Sequence, residues 1–137
     1  MNAQEAKDEM LGLLMEAWGP TGYKVVFDDL QESIPAGNEP WLKVTIRHMD
    51  GGTTSLTGAH GVRRYEAVGY LMAQVRVPSG RGFVEAYALA DKLLAAFTKI
   101  NTENCVGYSN QRIMEVGSDS TFAQANFITD FMYESAR

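Results

Sequence analysis

The chain has 137 residues, 45% of them hydrophobic, enough for one globular core that buries about two-thirds of the unfolded surface. No apolar run approaches the ~20 residues needed to span a bilayer, and the acidic, amphipathic start lacks the basic segment of a signal peptide, so the expected setting is the cytosol. A net charge of -5 argues against a general nucleic-acid binder, and a single cysteine, Cys105, excludes an intrachain disulfide and a thiolate zinc site.

That net charge is unevenly spread. Residues 1–40 carry eight acids and two bases, residues 41–82 two acids and six bases, and residues 83–137 seven acids and four bases. Acidic ends around a basic middle can attract further copies of the chain or a complementary partner. Scatter of charge over a solvated surface is the plainer alternative.

In chain order, Ala6, Met10, Leu13, Leu14, Ala17 and Trp18 recur at helical spacing and predict a helix over residues 3–18, stopped by Gly19-Pro20. A short strand over residues 23–27 follows, and the two prolines of residues 28–40 predict an irregular connection. Residues 41–48 alternate, with Leu42, Val44 and Ile46 on one face, Lys43, Thr45 and Arg47 on the other, and His48 at the strand end on the Leu42 face. The four glycines of residues 49–63 predict a long flexible loop.

Residues 64–77 predict a strand unusually long for a chain of this size, one that projects beyond the core. Leu71, Ala73, Val75 and Val77 mark its buried face, yet Val68, Tyr70 and Met72 put apolar groups on the opposite one. Two apolar faces need two coverings: the second helix for one, and the first helix or another subunit for the other. The second helix is expected over residues 82–98, with Phe83, Ala86, Tyr87, Ala90, Leu93, Leu94 and Phe97 as its stripe. Residues 111–116 and 121–133 then read as a hairpin turning through Gly117-Ser118-Asp119, the last strand alternating Ala123, Ala125, Phe127 and Phe131 with Gln124, Asn126 and Asp130. The order α-β-β-β-α-β-β predicts an α+β fold: a mostly antiparallel sheet, two helices and a long projecting central strand, in one domain over residues 1–137.

Motifs for chemistry fail on inspection. The stretch from Gly80 to Glu85 places a carboxylate where a dinucleotide fingerprint needs its third glycine, and no Gly-Lys pair supports a P-loop. Pro78-Ser79-Gly80-Arg81-Gly82 therefore reads as a chain reversal. His48, His60 and Cys105 fall in separate segments, and Asp28, Asp29 and Glu32 sit where nothing raises a carboxylate pKa. The expected catalytic, metal and cofactor sites are none.

Pro40-Trp41, Val44, Ile46, Arg64, Gly69, Pro78, Gly80, Gly82 and the helix from Ala86 to Phe97 carry a family pattern. It resembles the tail terminator and minor tail proteins of lambda-like long-tailed bacteriophages and their prophages, with the recognisable motifs confined to about residues 40–97. The resemblance implies an α+β structural protein without activity or cofactor, forming a ring, usually of six copies, that caps the tail tube and joins it to the head. The implied partners are the chain itself, the tail tube protein and a head-completion or connector protein, with no membrane and no specific nucleic acid; the implied location is the host cytoplasm during assembly, then the virion tail. From pattern alone, Arg63, Arg64, Arg76 and Arg81 are the expected charged contacts and Val68, Tyr70 and Met72 the apolar ones. A head-tail connector or neck protein is the competing reading, and a small ligand-binding or enzyme domain using a cleft near His48 and Cys105 a third.

Overall fold

A computed structural model of the protein describes residues 2–27, 39–56, 63–78, 82–98, 106–118 and 122–136. The first helix, α1 (Ala3–Trp18), starts at a reciprocal cap: Asn2 Oδ1 accepts from the Glu5 amide at 2.8 Å, while the Asn2 amide donates to Glu5 Oε1 at 3.3 Å. Ala6, Met10, Leu14 and Trp18, each four residues from the next, form its buried stripe. A 3-10 turn over Gly19–Thr21 ends it, and Gly22 at φ +72° takes the left-handed conformation that glycine adopts without steric cost. Trp18 Nε1 then donates to the carbonyl of Tyr23, fixing the entry into β1 (Lys24–Phe27).

The remaining strands are β2 (Trp41–Leu56), β3 (Arg63–Pro78), β4 (Gly107–Ser118) and β5 (Phe122–Ala136). They form one sheet in the order β1-β2-β3-β5-β4, with β1 parallel to β2 and every other pair antiparallel. With α2 (Gly82–Thr98) between β3 and β4, the element order and the α+β class are those expected from sequence.

One expectation is overturned. β2 does not stop at His48 but continues to Leu56, so residues 49–56 are strand where glycine content predicts loop, and His48 stands within the strand. The reason is the partner: β3 offers a continuous ladder, pairing Gly51 with Ala67, Gly52 with Glu66 and Thr53 with Tyr65. Register shifts after His48 and after Thr53 absorb the irregularity, and cross-strand pairing outweighs weak strand propensity. β4 and β5 likewise extend beyond their predicted limits. Residues 28–38, 57–62, 79–81, 99–105 and 119–121, and with them the carboxylates at 28, 29 and 32, His60, Arg81, Cys105 and the centre of the proposed reversal, lie outside the described residues.

Both helices lie on one side of the sheet. Ala86, Leu89, Ala90, Leu93 and Phe97 of α2 and the buried stripe of α1 share one cluster with Leu42, Val44, Leu71, Ala73, Val75, Val77, Ala125 and Phe127. This inner face is built from alternate positions of β2, β3 and β5, as a pleated strand requires. Gln111 Nε2 donates to the Phe97 carbonyl at 3.0 Å, and Tyr87 Oη to Glu115 Oε2 at 3.1 Å, tying α2 to β4. α1 therefore does not cover the opposite face of the sheet, which removes one of the two coverings considered for it, although Val26, Trp41, Thr45 and Ile128 on that face are buried.

Length explains the packing at the far end. A 17-residue helix is about 25 Å long, whereas a 16-residue strand runs about 50 Å, so α2 cannot reach along all of β3. Beyond its reach the inner face is closed by aromatic rings. His48 meets Phe131 edge-on at 5.2 Å and Tyr133 at 5.7 Å, and its Nε2 hydrogen-bonds Tyr133 Oη at 2.8 Å. Gly69 lies between His48 and Phe131 in register, and any Cβ there would collide with the Arg47 carbonyl oxygen and approach Phe131 Cζ to 2.6 Å.

Candidate functional site

The other set of alternate positions forms the outer face. Register places Thr45, Met72, Ile128 and Arg112 in one row across four strands; on one side of it run Lys43, Gln74, Asn126 and Met114, and on the other Arg47, Tyr70, Asp130 and Ser109. Val68 and Met132 pair in the next row. Val68, Tyr70, Met72, Gln74 and Arg76 are all partly exposed, while Met132 and Met114 expose 45% and 52% of their surface. Contiguous apolar area of this kind, edged by polar and charged groups, is the signature of an interaction surface.

Its polar groups are held in a chain of contacts. The Arg76 guanidinium lies 5.1 Å from the Trp41 ring centre, and Nη2 donates to Gln74 Oε1 at 3.3 Å. Gln124 Nε2 reaches Gln74 Oε1 at 3.5 Å and Asn126 Oδ1 at 3.0 Å, and Asn126 Nδ2 meets Met72 Sδ at 3.6 Å. On the β4 side, Arg112 bridges to Asp130 at 3.5 Å and donates to the Asn110 carbonyl at 2.7 Å, while Asn110 Nδ2 donates to Asp130 Oδ2 at 3.3 Å. These contacts hold Asn110 at φ 54° within the first of two register shifts in β4.

Of the residues expected from sequence, Val68, Tyr70, Met72 and Arg76 come together on this face. Arg63 and Arg64 open β3, opposite Leu56 and Ser55 of β2, with their side chains outside the described set; Arg81 is outside it altogether. Sequence reasoning missed Ile128 and Met132 of β5 and Met114 of β4. The signal was present in β5, where both alternate with the core residues Phe127 and Phe131; only the polar members of that alternate set drew notice.

The inner side carries the perturbed titrations. Tyr108, edge-on to Phe97 at 4.9 Å, has its phenol pKa pushed up, first by burial and then by the charge of Glu9. Its Oη is buried without a hydrogen-bond partner among the described residues. Tyr87 is also raised, by desolvation and then by its bond to Glu115. His48, itself exposed, is engaged by Tyr133 and meets the stacked Phe131 and Tyr133 rings edge-on at the end of the core. What the outer face offers is apolar area, amides and fixed charges: the means of binding a surface.

The fold has a counterpart among solved structures, one of which matches at a TM-score of 0.65 with 15% identity, covering 96% of each chain. At that identity the likeness speaks to fold alone. Comparison with curated proteins finds no match. No helix among the described residues is long and apolar enough to cross a membrane. The family model for the phage tail terminator protein matches residues 8–125, from the second turn of α1 into β5, and so takes in both helices and most of the outer face. This chain belongs to the phage tail terminator family and has a structural role in the phage tail.

Proposed function

We propose that this chain closes the finished tail tube, assembling at its end as a ring and presenting the surface to which the head is joined. The observation that carries the reading is the family match over residues 8–125. The outer face supports it, because a protein that works by contact needs a preorganised surface of mixed character in place of a reactive cleft. In this reading Val68, Tyr70, Met72 and Arg76 contact a neighbouring copy or the tube, and Arg63, Arg64 and Arg81 supply further charged contacts. The partners are further copies, six in the ring implied by the family resemblance, the tail tube protein and a head-completion or connector protein. Assembly takes place in the host cytoplasm and the product resides in the virion tail, with no catalytic step and no cofactor.

Electron microscopy of tails made without this protein tests the proposal. Overlong tubes are the expected result. Tails of normal length that fail to acquire heads would overturn termination and assign the protein to the head-tail connection instead.

A further inference from the structure

The solvent side of α1 presents Glu5, Asp8, Gly12 and Glu16 along one stripe, spaced three or four residues apart, with Met15 beside Glu16. Gly12 is unexplained by folding. Glycine inside a helix costs about 1 kcal/mol relative to alanine, yet a Cβ at Gly12 would meet nothing within 4 Å among the described residues, so no contact there demands its absence. Met15, three residues on, is 41% exposed. The stripe is thus acidic, has an apolar contact point, and is bare of side chain at its centre, where another surface can come close.

The outer face of the sheet has the opposite charge at one end. Between the Trp41 row and the Arg47 row it bears Lys24, Lys43, Arg47, Arg76 and Arg112, with Asp130 the one acid among the described residues there; Glu66 and Glu134 pair four positions further along β3. Met72, partly exposed, and Met114, 52% exposed, supply apolar area among these cations. Methionine adapts its shape to an incoming surface more readily than branched side chains do.

We infer that the acidic stripe of α1 on one copy docks across the cationic end of the outer sheet face on the next copy. The two surfaces lie on opposite sides of the molecule, because α1 is packed into the inner core. Their contact is therefore heterologous and head-to-tail, the kind that closes into a ring when the rotation between copies permits. This inference rests on the ring reading above and specifies which faces meet.

Two charge-reversed full-length variants test it by sedimentation across a concentration series at low salt, with circular dichroism as the check on folding. Lys43→Glu/Arg47→Glu makes both surfaces acidic, and Asp8→Lys/Glu16→Lys makes both basic. Each variant alone is expected to need at least about tenfold more protein than wild type to assemble, while an equimolar mixture, in which unlike surfaces alternate, regains wild-type assembly. Gly12→Leu is expected to fold as stably as wild type and to assemble less. If the helix variant assembles alone as wild type does, or the mixture fails to recover, the faces are wrongly assigned although the ring reading stands. If wild type stays monomeric at every concentration and in the presence of tail tubes, both fail.

Discussion

The two faces of the sheet are made by the same strands, often by adjacent residues, yet they are finished differently. Along β3, Ala67, Gly69, Leu71, Ala73, Val75 and Val77 are buried, while their immediate neighbours Glu66, Val68, Tyr70, Met72, Gln74 and Arg76 are all only partly so. Inside, branched and aromatic side chains with few rotamers fill fixed space against two helices, which yields one packed arrangement. Outside, methionine, amides and paired charges keep the surface soluble while leaving apolar area able to conform to something else. The inner side carries most of the core, and the exposed members of the outer side can change with little effect on it.

That contrast can be broken most severely at Gly69. Gly69→Ala drives a methyl into the Arg47 carbonyl and Phe131, and is expected to cost about 4 kcal/mol or more in chemical denaturation, enough to unfold a marginal domain. Next comes a matched pair across the pleat. Leu71→Ala, at a fully buried position, should cost about 3 kcal/mol, whereas Met72→Ala on the adjacent outer position should cost about 1 kcal/mol or less while weakening assembly. Equal losses of stability would erase the distinction between the faces.

Smaller effects sharpen the inner side. Tyr133→Phe removes the hydroxyl that meets His48 and is expected to cost about 1 kcal/mol, read as a shift in denaturation midpoint. Tyr108→Phe should change neutral-pH stability by less than about 1 kcal/mol, since the Oη it deletes has no hydrogen-bond partner among the described residues. Its mark is at alkaline pH. Burial and Glu9 hold the Tyr108 pKa above its ordinary 10.0, so the fold keeps a proton that the unfolded chain releases once pH passes 10. Wild-type stability is therefore complete below that pH and declines above it, and in Tyr108→Phe the decline should be shallower.

Much of this was legible in the sequence wherever a period persisted. The buried stripes of both helices and the inner positions of β3 and β5 repeat at the spacing of their elements, and those elements formed where the repeats lie. Residues 49–56 misled because local composition favoured a loop, while the deciding term was a partner strand whose pairing no single segment reveals. The outer face was half visible: Val68, Tyr70 and Met72 were conspicuous within one strand, but Ile128, Met132 and Met114 join them only through strand register. The reach of the rings from His48 to Tyr133 was hidden for the same reason, since 85 positions separate them along the chain. Leu89 was passed over in the α2 stripe, and the cap formed by Asn2 and Glu5 was readable in advance but not read.

The two interruptions of register in β4 bear on how copies can accumulate. β4 is the long strand at the sheet's margin, and its backbone is diverted near Asn110 and again before Gly117. A margin so broken is a poor template for a foreign strand, which discourages growth of the sheet from molecule to molecule into fibrils. What remains for joining one molecule to another is matching of side chains, which can be exact about angle and hence about where a series of copies must end.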